Sequence, residues 1–185
     1  MASLGTVSAR AQEDRGVVVF AQGGGYSPLT DLNDAGTASF KTGFVVGGGI
    51  GYQFNRYVVA RGNFNFARTE AQAPGSPMDA TKYNRFLYDA DLQLRYPFAN
   101  GVTPYAFGGG GAVTIKQDVT SATSFTKPAG KFGVGLAYQF PHSGASLYAE
   151  GTGWAYNWDK DLNPRFDKTQ VDVAWTAGLS YRFGH

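Results

Sequence analysis

Apolar and polar residues alternate along most of this chain. The last stretch, 169–183, shows the pattern most fully. Val171, Val173, Trp175, Ala177, Leu179, Tyr181 and Phe183 share one parity, and Gln170, Asp172, Thr176, Ser180 and Arg182 share the other. Successive side chains of a strand point to opposite faces, so this predicts a strand with one greasy and one wet face. At ~3.4 Å per residue it spans roughly 50 Å, far longer than an ordinary strand.

The same period predicts seven more strands, over 16–26, 39–54, 57–67, 85–98, 103–116, 131–140 and 145–158. In 39–54, Phe40, Phe44, Val46, Ile50, Tyr52 and Phe54 oppose Lys41, Gly43, Gly47, Gly49 and Gln53. In 57–67, Val58, Ala60, Phe64 and Phe66 oppose Arg61, Asn63 and Asn65. In 85–98, Phe86, Tyr88, Ala90, Leu92, Leu94, Tyr96 and Phe98 oppose Arg85, Asp89, Asp91, Gln93 and Arg95. In 103–116, Tyr105, Phe107, Val113 and Ile115 read as the outward, apolar set, which puts Lys116 on the wet face. In 131–140, Phe132, Val134, Leu136, Tyr138 and Phe140 oppose Lys131, Gly133, Gly135 and Gln139.

Two strands leave their facing open. In the first, Gln22 marks one face, but Val17, Val18 and Val19 are apolar on both. In 145–158, Glu150 and Thr152 belong on the wet side, yet they share parity with Tyr148, Trp154, Tyr156 and Trp158. Either aromatics fill the interior there or a bulge shifts the register. Connections alternate between long ones beginning near 27, 68, 117 and 159 and short ones near 55, 99 and 141. Asn100-Gly101 is a hairpin-turn signal.

The even-numbered strands end alike: Gly49-x-x-Tyr52-x-Phe54, Gln93-x-x-Tyr96-x-Phe98, Gly135-x-x-Tyr138-x-Phe140 and Gly178-x-x-Tyr181-x-Phe183. The terminal Phe recurs every 42 to 44 residues, which is one up-and-down strand pair. All four endings therefore fall at one end of the fold. Tyr57, Tyr105 and Tyr148 begin the strands after the short turns and read as members of the same ring. A ring of Tyr and Phe at one level suits a membrane interface, where the ring is apolar and the Tyr hydroxyl reaches headgroups. Phe40, Phe66, Tyr83, Phe86, Phe125, Phe132 and Trp158 read as a looser second ring near the long loops.

Composition narrows this picture. The chain has 185 residues, enough for one domain, and no cysteine, so neither a disulfide framework nor a thiolate metal site. A net charge of +2 argues against a nucleic-acid partner. Aromatics at 15% and 26 glycines suit an all-β chain. No run is long enough for a membrane helix, but a spanning barrel hides its apolar half in alternation. Residues 1–15 show no period. Ala9-Arg10-Ala11 is like a small-x-small cleavage site, so this segment reads as a signal-peptide remnant or a disordered extension, with the folded domain at 16–183.

These residues resemble the small eight-stranded outer-membrane barrels of Gram-negative bacteria, the group that includes the membrane domain of outer membrane protein A. The resemblance implies an all-β, eight-stranded antiparallel up-and-down transmembrane barrel, with short periplasmic turns and long extracellular loops. It implies that Gly178, Tyr181 and Phe183 form the signal read by the outer-membrane assembly machinery. It also implies outer-membrane lipid and lipopolysaccharide as surroundings. An unidentified extracellular or envelope partner is left open. No peptidoglycan-binding domain is expected after Phe183.

The wet face collects Lys41, Arg61, Arg85, Arg95, Lys116, Lys131 and Arg182 against Asp89, Asp91, Glu150 and Asp172. Charges in a lumen with little water must pair. Eight strands leave an interior that side chains fill, so a plugged, salt-bridged lumen is expected. Inward glycines, Gly43, Gly47, Gly49, Gly108, Gly110, Gly133 and Gly135, are expected to make room for the long cationic chains, or simply to ease curvature.

Other chemistry is weaker. Gly130-Lys131 precedes Phe132 and no helix, unlike a phosphate loop. His142-Ser143 sits in a short turn with no orienting acid. Asp31 with Asp34, or Asp159 with Asp161, offers a loop cation site. Trp154, Tyr156 and Trp158 suggest interface anchoring or contact with lipopolysaccharide. No cofactor is expected. The leading reading is a structural or interaction barrel, not an enzyme. Its alternatives are a lipid-modifying barrel enzyme, and a soluble barrel binding a small apolar ligand, which needs a greasy interior.

Overall fold

A computed structural model describes residues 15–29, 39–72, 81–117, 124–157 and 169–184. Eight long strands carry the fold: β1 (Gly16–Pro28), β2 (Gly43–Asn55), β3 (Val58–Gln72), β4 (Lys82–Arg95), β5 (Val102–Gln117), β6 (Ser124–Gln139), β7 (Ala145–Asn157) and β8 (Thr169–Phe183). Each pairs antiparallel with its sequence neighbours. The first and last strands close the barrel in one ladder from Val17↔Phe183 to Pro28↔Asp172. Closure leaves no sheet edge, which a strand structure in lipid requires.

The short turns are built by local side-chain bonds. Asn55 Oδ1 accepts from the N–H groups of Tyr57 and Val58, at 2.8 and 3.0 Å. Asn100 Oδ1 accepts from Val102 N–H, and Gly101 adopts φ 84°, which the tight hairpin needs. His142 is the one non-glycine with positive φ among the described residues, at 57°.

The strands run further toward the other end than the alternation predicts. β3 continues to Gln72, and β6 begins at Ser124 rather than Lys131. The Ser/Thr stretch expected as loop is strand because its two sides are both satisfied. Phe125 and Ala129 pack on the interior, while Thr126 and Thr114 share a 2.7 Å hydroxyl bond outside. The predicted 39–54 strand is interrupted instead. Ser39 and Phe40 pair with Gln72 and Ala71, but Phe44 pairs with Arg68, so the register slips by one residue between them. Phe40's side chain, Trp158 and residues 1–14 lie outside the described residues, as do the aspartate pairs 31/34 and 159/161.

Around the middle of the barrel, outward positions are apolar: Ile50, Leu94, Val134, Trp175 and Leu179 are all largely exposed. Inward positions hold the charges. This is the reverse of a soluble barrel with a greasy interior. The interior has two aromatic and aliphatic clusters. One, toward the short turns, joins Phe20, Tyr105, Phe107, Ala137 and Tyr148. The other, toward the long connections, includes Tyr26, Val45, Leu87, Ile115, Trp154 and Tyr156.

One facing expected from sequence is corrected here, and one left open is decided. In β5, Tyr105, Phe107, Val113 and Ile115 point inward and are buried, and Lys116 points out. The register decides it: Asp91 lies opposite Gly109 and Arg95 opposite Tyr105, and directly opposed residues share a face. Gly108 and Gly110 therefore face outward, not into the lumen. In β7, Tyr148, Trp154 and Tyr156 fill the interior. Both of its ladders keep one unbroken register, so no bulge turns them out.

Candidate functional site: the lumen

β3, β4, β6 and β7 place the central polar cluster. Arg61 on β3 is the hub. Its Nε and Nη2 donate to Asp91 at 2.9 and 3.2 Å, and its Nη1 donates to Glu150 at 2.5 Å. Lys131 Nζ donates to both Asp89 and Asp91 at 2.7 Å. Asn63 Nδ2 donates to the same two carboxylates at 2.7 and 3.0 Å, and Tyr105 OH donates to Glu150 at 3.0 Å. The guanidinium lies 5.5 Å from the Phe20 ring centroid and 4.7 Å from that of Phe107. Two ring faces thus replace part of the hydration that burial removes.

A second ionic group lies nearer the long connections. Arg85 Nε is 3.8 Å from Asp172, and both side chains are about 1% exposed. Tyr26 and Tyr156 hydroxyls both donate to Asp172, and Arg85 also donates to Thr69. Between the two groups, Gln22 donates to Asn65 Oδ1 at 2.7 Å and accepts from Tyr148 and Thr176. A cavity of about 40 Å³ lies beside Arg61, lined by residues that include Phe20, Gln93, Arg95 and Tyr148.

The expected network is thus brought together in part. Arg61, Asp89, Asp91, Lys131 and Glu150 meet, and Arg85 meets Asp172. Arg95 is half-buried below them and donates to Gln53 at 3.1 Å. Arg182 is half-buried at the turn end, opposite Val18 in the ladder. Two members are corrected. Lys41 is no lumen residue: the register slip turns it outward, where it pairs with Glu70 at 2.9 Å on the surface. Lys116 is likewise exposed on the outer face.

The aromatic ring also divides. Tyr52, Phe54, Tyr57, Tyr96, Phe98, Tyr138 and Phe140 lie outside, as do Tyr181 and Phe183. Each Tyr-x-Phe pair stacks edge to face, with centroids 4.6 to 5.6 Å apart. Tyr105 and Tyr148 do not belong to it; both are buried inside. In the second ring, Tyr83 is buried and Phe125 packs against the interior cluster. Trp154 and Tyr156 anchor no interface, because both point inward.

Several glycines leave room for rings rather than for cationic chains, while Gly43 and Gly47 lie against the backbone of β3 and, for Gly47, Asn65. A Cβ on Gly135 would sit 2.5 Å from the Tyr105 ring, one on Gly49 2.6 Å from Phe20, and one on Gly178 2.7 Å from Tyr148. Gly178 of the expected assembly signal therefore also has a packing reason to lack a side chain.

Tyr26, Phe20, Gln22, Asn63, Thr69 and Tyr156 are contributors that sequence reasoning left out of the network. Asn63 was legible: it shares the wet parity with Arg61. Gln22 marked the inward parity of β1 and with it Tyr26. The turn pair His142-Ser143 shows a structural use, since Ser143 Oγ accepts from Ala145 N–H at 3.0 Å. Among the described residues, no group of three His, Cys, Asp or Glu is placed to hold a metal ion.

Comparison with known proteins agrees with this geometry. A family model described as the outer membrane protein beta-barrel domain matches residues 1–183. No curated protein matches the chain. Among solved structures, neisserial surface protein A superposes with a TM-score of 0.68 at 16% identity, covering 91% of this chain and 97% of that one. The N-terminal barrel domain of Pseudomonas aeruginosa OprF gives 0.54 at 17% identity, covering 92% and 98%. Ail, the attachment invasion locus protein of Yersinia pestis, solved with the heparin analogue sucrose octasulfate, gives 0.55 at 17%, covering 91% and 97%. At such identities these structures speak to the fold alone. The closed eight-stranded barrel, its apolar outside and its charged inside thus have a common explanation: this chain belongs to the outer membrane protein beta-barrel domain family and resides in the bacterial outer membrane.

Proposed function

We propose that this barrel is a closed structural and interaction module of the outer membrane, with no diffusion pathway through its bore. The observation that carries this reading is the central cluster, in which Arg61, Lys131, Asp89, Asp91 and Glu150 pair with one another at 2.5 to 2.9 Å across the lumen. A hydrated channel needs its charges facing water. Here they face each other, with Phe20 and Phe107 against the guanidinium. The exposed Tyr-x-Phe pairs act as the periplasmic interface ring, so the short turns face the periplasm and the long connections face outside. Gly178, Tyr181 and Phe183 present the C-terminal strand to the assembly machinery. We assign no catalytic residue, because the one turn nucleophile, Ser143 Oγ, is used to order its own turn. The connections between β3 and β4 and between β7 and β8 are the partner-contacting surface, on grounds of their length in the sequence and their place at the end opposite the Tyr-x-Phe pairs.

Planar-bilayer recording from the purified monomer tests the closed bore. Only brief, small openings are expected. A stable, large conductance from the unmodified barrel would refute it. For the surface loops, deletion of 73–81 or 158–168 is expected to abolish an adhesion or partner-binding phenotype while leaving heat-modifiable mobility intact.

A further inference from the structure

Near the loop end, the outward charge of the described residues is confined to one arc. In the ladders joining β2 to β5, Phe44 lies opposite Arg68, Arg68 opposite Asn84, and Asn84 opposite Lys116. Arg68 and Lys116 therefore flank Asn84 in one row on the outer face. In the next row, Glu70 lies opposite Lys82, and Lys41 Nζ reaches Glu70 at 2.9 Å. The arc thus holds four cations and one carboxylate. At the same end, outward positions of the other strands carry Ser27, Ser124, Thr126, Asn157, Thr169 and Val171, with no charge among the described residues.

Aromatic rings lie directly beneath the cations. Phe66 stacks with Phe44 and Phe86 at centroid distances of 6.1 and 5.4 Å, and Phe64 meets Phe86 at 6.4 Å. Lys116 Nζ leans over Phe86, 5.5 Å from its centroid. Along β4, Asn84 and the ring residue Tyr96 are roughly 30 Å apart on the barrel axis, at ~3.4 Å per residue and about 40° of tilt. The apolar band of such barrels is ~25 Å tall. The cationic row therefore sits at the hydrocarbon boundary opposite the Tyr/Phe ring, where lipid phosphates lie.

The spacing favours a lipid with two phosphates. Arg68 and Lys116 are two inter-strand spacings apart, about 10 Å at the backbone, so their long side chains can each take one phosphate. We propose that this arc of β2–β5 is a binding site for the diphosphorylated glycolipid (lipid A) of the outer leaflet. Arg68 and Lys116 hold its phosphates, Lys41 and Lys82 add charge at the rim, and Phe44, Phe66 and Phe86 bed its acyl chains. This deepens the reading above and rests on the loop end facing outward.

The test measures binding of diphosphoryl lipid A to the folded full-length barrel in neutral-lipid nanodiscs. Monophosphoryl lipid A, phosphatidylglycerol and inorganic phosphate are the competitors. Arg68→Gln with Lys116→Gln is expected to weaken diphosphoryl lipid A binding about thirtyfold, and Lys82→Gln about fivefold, from the worth of a cation near an anionic lipid surface. Arg56→Gln, at the opposite end, removes the same charge and is expected to change nothing. Heat-modifiable mobility checks that every variant is folded. Unchanged affinity in both Arg68→Gln/Lys116→Gln and Lys82→Gln overturns the site. Equal competition by phosphatidylglycerol or inorganic phosphate overturns the lipid A assignment. Ser76→Cys, labelled from outside intact cells with a thiol reagent, tests orientation separately: labelling only after cell rupture sinks the outward-loop reading whatever the binding result.

Discussion

Removing the hub of the lumen cluster is the most informative single perturbation. Arg61→Met keeps much of the side chain's length and apolar bulk but deletes the guanidinium. Asp91 then retains Lys131 at 2.7 Å and Asn63 at 3.0 Å. Glu150 keeps only the Tyr105 hydroxyl at 3.0 Å among its described partners. Its carboxylate is left in a nearly dry site, with 2% of the side chain exposed. Breaking a buried pair from one side costs about 3–5 kcal/mol, because the surviving charge is uncompensated. Most of that cost should fall on Glu150. Arg61→Met with Glu150→Gln removes both charges and still leaves Tyr105 a hydrogen-bond acceptor. The double variant should therefore recover at least half of the loss, to within about 2 kcal/mol of wild type. Equilibrium urea unfolding in lipid vesicles, followed by tryptophan fluorescence with gel mobility as a second probe, reads both values. A loss below about 1 kcal/mol in the single variant would mean that water reaches Glu150 and the bore is wet. A double variant no better than the single would mean that Arg61 acts through packing between Phe20 and Phe107 rather than through charge.

Further outcomes follow from the same geometry. Lys41→Ala should cost less than about 1 kcal/mol by the same unfolding assay, since its pair with Glu70 is exposed. Gly135→Val should destabilise by about 1–3 kcal/mol, because its Cβ meets the Tyr105 ring, and its added cost should shrink when measured in a Tyr105→Ala background as a double-mutant cycle. Gly178→Ala should lower stability in refolding from urea without any cellular machinery, owing to Tyr148 and the neighbouring strand backbone; an effect seen only in cells would leave the assembly signal as its sole role. His142→Gly should stabilise by about 1 kcal/mol, since φ 57° burdens an L side chain, provided the turn hydrogen bonds persist in a high-resolution structure.

Alternation and repetition carried most of the architecture. Period two predicted eight strands, and the Tyr-x-Phe endings marked one common end. The wet face of 85–98 already contained Arg85, Asp89, Asp91 and Arg95, and the structure keeps all four inside. Strand ends were harder to read. A Ser/Thr stretch such as 124–130 looks like loop in isolation, and only its pairing with β5 makes it strand.

What the chain determined by itself was therefore the existence of two faces on every strand, because a strand's geometry forces alternate side chains apart. Which face is inside was decided by neighbours. Tyr105 and Phe107 form an apolar set as convincing as any outward one, while the other parity of β5 is mostly small residues. Cross-strand register places them beside Arg95 and Gln93 in the lumen, and glycines on β6 leave space for their rings. The same holds for Tyr148. Lys41 left the lumen through a one-residue slip against β3, a feature of pairing with no local signature. The pairing of specific charges, Arg61 with Glu150 and Arg85 with Asp172, joins residues far apart in the chain. Only closure of the barrel brings them within reach, because their separation is set by strand order and register rather than by any spacing along the sequence.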